Sequence, residues 1–265
     1  MAGLLREMLK PLWNYFRNPD YKEWLHVKSA CRDVPKGMQL HVEIAGFLVK
    51  TKDASSLLHL YEEIFVNKSF DVNFGHQNPL IYCCGANIGL ELFFFKKYFP
   101  ESRIHAFEAD PEITQTLEEN VRSNQLTNVT VHAAAVAAKN GTITFQPDGG
   151  LGGKTGAGTA EIPCLRLAEL LANETSIDLL LMDIEGAEAE VLNDCASHLS
   201  KVKRLFVEWH GAANAAQNLP AFLQLLSSNG FRYRFNNKLT VAPFRNRLEE
   251  GGFDAMVEIY AERKS

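Results

Sequence analysis

The sequence predicts an α/β protein whose centre is a doubly wound, mostly parallel sheet. Three observations carry that prediction. Pro79-Leu-Ile-Tyr-Cys-Cys84 reads as a short buried strand, Gly85-Ala-Asn-Ile-Gly89 as a tight turn, and the residues after it as a helix with Ile88, Leu92, Phe95 and Phe99 on one stripe. From Asn78 onward, apolar extended runs alternate with amphipathic ones, the βαβα rhythm of parallel strands joined by crossover helices. Later runs end in polar residues: Arg103–Phe107 in Glu108, Ile177–Met182 in Asp183, and Arg204–Trp209 in His210. An open α/β sheet keeps its ligands outside those carboxyl ends.

The first turn narrows the ligand. Its glycines let backbone approach a bound group, and the free N–H groups of the helix start face it. A dinucleotide fingerprint needs G-x-G-x-x-G, but Asn87 stands where the second glycine would be and Gly89 follows Gly85 by four. That spacing argues against a pyrophosphate. It suits a ligand without phosphate, such as S-adenosylmethionine (SAM), with Glu108 placed to accept hydrogen bonds from ribose hydroxyls. Gly-rich turns often only connect elements, yet here turn and acid come in the order an adenosine ligand requires.

The remaining elements follow in order. Residues 1 to 25 read as an amphipathic helix with Leu4, Leu5, Met8, Leu9, Leu12, Trp13 and Phe16 on a broad face. Its charges exclude a signal-peptide core; the face could pack on the domain or a second subunit, or lie on a membrane surface. Met38–Val42 and Gly46–Lys50 form an expected strand pair, followed by a helix through Leu57, Leu60, Ile64 and Phe65. Asp110-Pro111 caps the second core helix, with Ile113, Leu117 and Val121 inward. Val129–Ala133 is the third strand, continuing through Ala134-Ala-Val136, and Asn140-Gly141 reads as a hairpin turn into Thr142–Phe145. The glycine-rich residues 146 to 160 read as a mobile flap or a plain loop; a P-loop reading of Gly153-Lys154-Thr155 fails because Asp148 occupies the first glycine position. Ile162–Leu165 is a strand and Arg166–Ala172 a short helix. A helix through Ala187, Val191, Leu192 and Cys195, another near 219–229, and strands near 231–235 and 253–260 complete the chain.

Composition excludes several classes. A net charge of −5 leaves no basic footprint for nucleic acid. The five cysteines (Cys31, Cys83, Cys84, Cys164, Cys195) are odd in number and lack paired metal spacing, the usage of a reduced, cytoplasmic protein. No apolar stretch reaches membrane-spanning length.

Four motifs together, Cys84-Gly-Ala-Asn-Ile-Gly89, Ala106-Phe-Glu-Ala-Asp-Pro111, Met182-Asp-Ile-Glu-Gly-Ala-Glu188 and Phe206-Val-Glu-Trp-His210, resemble the FkbM-type methyltransferases. The resemblance runs from about Tyr61 to the C-terminus. It implies a seven-stranded Rossmann-like class I methyltransferase sheet at 76–265, closed by an antiparallel hairpin, with 1–75 as an accessory or cap region. It implies SAM as cofactor, held by Cys84, Gly85, Ala86, Asn87, Gly89, Glu108, Ala109 and Asp183, with the small Ala134 and Ala135 beside the adenine. The implied reaction is O-methylation of a hydroxyl on a sugar, glycan or glycosylated natural product. A catalytically weak SAM-binding relative with a scaffolding role is the alternative, and oligomeric state stays open. Two departures stand out: an acid usual two before the first motif glycine is Cys83, and a lysine frequent two before the motif aspartate is Leu181. Either SAM binds more weakly or another carboxylate replaces the missing acid.

Methyl transfer from a sulfonium to a hydroxyl is an in-line displacement, so the protein supplies alignment and a place for the hydroxyl proton. Glu208 and His210 are two apart and share a strand face, and Asp183 ends the neighbouring strand. Histidine, with an unperturbed pKa near 6.5, is the first expectation for the base and Asp183 the second, with Glu208 orienting the imidazole or binding acceptor hydroxyls. The same Asp183, Glu208 and His210 could ligate a divalent ion, although hard cations prefer oxygen-rich sets. Asp183 could instead only hold the methionine end or cap a helix, and Glu208 could pair with a core arginine. His26, His41, His59, His76, His105, His132 and His198 read as structural.

Overall fold

A computed structural model describes residues 19–146, 154–155, 160–236 and 253–263. In chain order, helix α1 (Pro19–Ala30) leads into strands β1 (Leu40–Ile44) and β2 (Phe47–Thr51), then α2 (Ala54–Tyr61), which continues as a π-type turn, Glu62–Val66. The apolar residues expected on a helix within 1–18 lie outside the described residues. Ile44 pairs with Phe47, so Ala45 and Gly46 are the two-residue hairpin loop, both at positive φ. Gly46, expected as the first residue of the second strand, belongs to the turn. A turn of this kind needs two left-handed residues, which glycine supplies cheaply.

The core then alternates: β3 (Leu80–Cys84), α3 (Leu90–Tyr98), β4 (Arg103–Glu108), α4 (Pro111–Ser123) and β5 (Val129–Ala133). Strands β6 (Ala135–Ala137), β7 (Gly141–Gln146), β8 (Lys154–Thr155) and β9 (Ala160–Arg166) follow, then α5 (Leu167–Asn173). The chain ends through β10 (Leu179–Met182), α6 (Glu188–Asp194), a 3₁₀ turn (Ala196–Lys201), β11 (Arg204–Ala212), α7 (Leu219–Ser228), β12 (Phe231–Asn236) and β13 (Phe253–Arg263). Seven strands make the main sheet, in the order β12-β13-β11-β10-β3-β4-β5. Only β13 runs antiparallel to its neighbours, so the two last strands do close the sheet as expected. The α/β class and mostly parallel seven-stranded sheet are therefore present.

Strand β3 is buried along its whole length because it is central and covered on both faces. Ile81 and Cys83 point into one core with α3, and Leu80, Tyr82 and Cys84 into the other with α5, α6 and α7. Helix α3 is buried nearly all round. Leu92 and Phe95 face the sheet core, while Phe93 packs on Phe47 at 5.1 Å and Phe94 on Phe65 at 5.5 Å between ring centroids. The β1–β2 hairpin and the turn after α2 thus cover the outer side of the helix that follows the glycine turn.

Polar groups lock that cover in register. Asn120, fully buried on α4, accepts from the Lys50 N–H at 2.8 Å and donates to the carbonyls of Lys50 at 3.1 Å and Ile88 at 2.9 Å. One turn later Asn124 repeats the exchange with the backbone of Leu48. Two amides at i and i+4 thereby take the place of a neighbouring strand for β2. Asn120→Ala is expected to cost about 2–3 kcal/mol, because it leaves buried backbone groups unsatisfied. A urea titration would show this as a lower midpoint.

Two expectations about the middle of the chain are corrected. The third strand does not continue through Ala134; the chain turns there, and β6 belongs to a separate four-stranded sheet of order β6-β9-β7-β8. Nor is Asn140-Gly141 a hairpin turn between paired neighbours, since Cys164 of β9 lies opposite both Ala135 and Gly141. Asn140 instead accepts from the Arg166 N–H and donates to Glu169, both at 2.8 Å, tying the turn to the start of α5. Within the glycine-rich stretch, Lys154 and Thr155 pair with Gln146 and Phe145. Its other residues from 147 onward, up to 159, lie outside the described set.

Candidate active site

The glycine turn is stitched to the end of β4. The N–H groups of Gly85 and Ala86 both donate to the Phe107 carbonyl, at 3.0 and 2.8 Å. Asn87, at φ 45°, sends its N–H to Glu108 Oε2 at 2.8 Å and caps the next peptide by accepting from the Ile88 N–H at 2.8 Å. Asparagine tolerates this left-handed conformation because its side chain bonds locally. Glu108 Oε1 takes the Asp110 N–H at 2.8 Å, so one carboxylate clamps the two loops while each oxygen keeps acceptor capacity. Burial, partly offset by these N–H groups, lifts Glu108 to about 7.

A cleft opens above this clamp, with about 680 Å³ of empty space including its mouth. Of the expected cofactor residues, Gly85, Asn87, Glu108, Ala109, Ala134, Ala135 and Asp183 line it. Cys84, Ala86 and Gly89 do not. Cys84 is turned into the opposite core, Ala86 is buried under the turn, and a Cβ on Gly89 would come within 2.6 Å of Leu117, so that glycine serves the packing of α3 on α4. Leu60 of α2 reaches the same cleft.

Behind Asp183 lies a ring of acids around one imidazole. His210, its side chain 3% exposed, holds Glu188 Oε1 at 3.0 Å through Nδ1. Its Nε2 lies 3.8 Å from Glu185, 3.9 Å from Glu208 and 4.0 Å from Asp183. The orienting carboxylate is therefore Glu188, which the sequence reading did not select, and not Glu208. Glu188 is fully buried, and its Oε1 also accepts from the N–H groups of Ile184 and Gly186, closing the turn after β10. Its place three residues after Glu185 on the quoted motif was the available signal. Glu208 lies outside the cleft lining, grouped with Glu63 and Glu258.

Charge in this ring departs from the sequence expectation. Burial alone would depress the His210 pKa, but the Glu188 bond and charge, then Asp183 and Glu185, outweigh it and raise it to about 9. At neutral pH His210 is an imidazolium, not the free base its ordinary pKa suggested. Asp183 is held well above the carboxylate range by burial and then by Glu208, with His210 acting in the opposite direction. Its Oδ1 is closed off without a partner among the described residues, although the side chain is 42% exposed towards the cleft.

A pH effect on the ligand-free fold follows. His210, raised from 6.5 to about 9, contributes stability that is complete below 6.5 and is lost as pH rises through 9. Glu91 and Glu108, raised from 4.5 to about 8 and about 7, also hold protons that the unfolded chain has released. Each excess proton is worth about 1.4 kcal/mol per pH unit. The melting temperature is expected to fall steadily from pH 6.5 to 9 in a thermal scan, and more shallowly in His210→Gln.

The atoms of Asp183, Glu185 and His210 lie within 4.8 Å of one another, a set that could hold a divalent ion. Glu185 thus replaces Glu208 in the expected ligand group. With one nitrogen donor that already carries a proton at neutral pH, the set suits that proton better than a hard cation. No step is assigned to a metal.

The two departures turn out to be one exchange. Leu181 and Cys83 are register partners across β10 and β3, and both side chains enter the same apolar core. An apolar pair stands at both places, which a well-packed core accepts readily.

Comparison with known proteins agrees with this architecture. A model of the methyltransferase FkbM domain matches residues 84–233. The chain is 26% identical over 205 residues to methyltransferase sdnD of Sordaria araneosa, covering 62% of this chain and 79% of that one. It is 27% identical over 177 residues to the 2-O-methyltransferase NoeI of Sinorhizobium fredii, covering 57% and 72%. The solved structure of an FkbM methyltransferase from Methylobacillus flagellatus superposes with a TM-score of 0.51 at 14% identity, over 91% of this chain and 59% of that one, a likeness of fold. Glycine turn, Glu108 clamp and the Asp183–Glu188 segment all fall inside the matched span, and the chain belongs to the FkbM methyltransferase family.

Proposed function

We propose that the protein is a SAM-dependent O-methyltransferase acting on a hydroxyl of a sugar, glycan or glycosylated natural product. The observation that carries this reading is the cleft itself: a phosphate-averse Gly85–Asn87 turn, an acid clamped at its rim, two alanines on the wall and Asp183 opposite. When bound, SAM supplies an electrophilic methyl and its own leaving group. Glu108 accepts hydrogen bonds from the ribose hydroxyls through its unused lone pairs. Ala134 and Ala135 leave room for a flat ring. Asp183, the more exposed of the two ring acids that line the cleft, takes the proton of the acceptor hydroxyl as the new bond to oxygen forms. His210, pinned by Glu188, is a positioning residue whose positive charge draws the Asp183 pKa back down against burial and its acidic neighbours. That the relative NoeI is named a 2-O-methyltransferase supports a hydroxyl acceptor.

The test is incubation with methyl-labelled SAM and a panel of deoxysugar and glycan acceptors. Label on an acceptor oxygen is the expected result. Tight SAM binding without label on any acceptor, or slow unproductive hydrolysis alone, would favour the scaffolding alternative.

A further inference from the structure

Glu91 lines the cleft and takes no part in the proposed methyl transfer. It sits in the first turn of α3, just after the glycine turn, and shares the cleft wall with Gly85, Asn87, Glu108 and Asp183. Its Oε2 is closed off from solvent and has no hydrogen-bond partner among the described residues. A carboxylate oxygen in that state is costly unless something donates to it. Its side chain folds back towards its own N–H, and burial, then the charges of Glu63 and Glu108, raise it to about 8. The cleft wall therefore holds an unpartnered acid, protonated in the ligand-free protein, that a cationic donor would return to its carboxylate form.

Glu91 also lies beside the place where the usual acid is missing. Its charge acts directly on the Cys83 thiol, which burial and then Glu91 push well upward. Cys83 is fully enclosed in the core with Leu181 and cannot serve a ligand. An acid moved from the strand to the first helical turn would keep a carboxylate at the same end of the cleft. It would also gain the favourable field of the helix start.

We infer that Glu91 binds the α-ammonium group of the cofactor's methionine end, taking over the task of the acid that Cys83 replaces. This rests on the SAM reading of the cleft. The ammonium offers three N–H donors, one of which satisfies the orphaned Oε2. The cation also offsets the charges of Glu63 and Glu108 on Glu91. Glu91 is then a determinant of affinity for the amino-acid half of the ligand, and the nucleoside half is left to Glu108 and the alanines.

Titration calorimetry on the full chain separates the two halves. Three probes serve: S-adenosylhomocysteine, its analogue lacking the α-amine, and 5′-methylthioadenosine, which lacks the whole amino-acid moiety. In the unaltered protein, loss of the amine is expected to weaken binding tenfold or more, the scale of a hydrogen bond to a charged group. Glu91→Gln should weaken S-adenosylhomocysteine by a similar factor and leave the other two within about twofold. Equal affinity for the amine-bearing and amine-free ligands in the unaltered protein overturns the inference without any variant. So does an unchanged preference in Glu91→Gln. If 5′-methylthioadenosine binds but the amine is ignored, Glu91 alone is misassigned; if none of the three binds, the SAM reading falls with it.

Discussion

Gly85→Ala is expected to be the most damaging alanine substitution among the described glycines. Gly85 stands at φ +85°, and a Cβ there would overlap the carbonyl oxygen of Asp183. That oxygen cannot retreat, because the Asp183 N–H is bound to the Cys84 carbonyl at 3.0 Å and holds the ends of β3 and β10 together. The collision is with backbone, so no rotamer change relieves it. A loss above about 4 kcal/mol belongs to this class of change. Gly37 supplies the control: it has φ +89° and nothing within 4 Å of an added Cβ. Gly37→Ala should therefore show only the cost of the left-handed backbone, about 1 kcal/mol. Urea unfolding of both variants measures the difference. Equal losses would mean that the glycine is needed for its backbone angle alone.

The second large effect is on chemistry. Asp183→Asn should reduce methyl transfer by about 10²–10⁴-fold, the usual contribution of a positioned base, with affinity for S-adenosylhomocysteine changed only a few-fold. His210→Gln is informative in a different way. The imidazolium lowers the Asp183 pKa against the pull of burial and Glu208. Its removal raises that pKa further, so the acidic limb of the pH–rate profile should move to higher pH, and the rate at pH 7 should drop while the alkaline plateau persists. Were His210 itself the base, the limb would sit near 9 in the unaltered protein and disappear in the variant.

Much of this was legible before any coordinates. The strand, glycine turn and helix at 80–98, the Asp110 cap and the acid at the tip of β4 are all written in local pattern, and each stands where the periodicity put it. Glu108 in particular combines two local signals, the end of a buried strand and a fixed distance from the turn. The misses share a cause. Ala134 could not be seen to break the strand, because the reason is a second sheet whose middle strand comes from residues 160–166. Glu188 was passed over because its partner, His210, is 22 residues away along the chain, on a different strand. His210 looked like a neutral base because sequence spacing carries no field: four carboxylates converge on it only in three dimensions. The same holds for Cys83 and Leu181, two separate oddities in sequence that become a single cross-strand pair in the sheet.

The claim on which the functional account depends is that the cleft over Gly85–Asn87 receives an adenosyl ligand without phosphate, with its ribose on Glu108. Calorimetric titration of the purified chain with S-adenosylhomocysteine and, in parallel, with NAD tests it most directly. One-site binding of S-adenosylhomocysteine, weakened at least tenfold by Glu108→Gln, with no heat from NAD, is the predicted result. Binding of NAD, or no binding of S-adenosylhomocysteine at any attainable concentration, would contradict it.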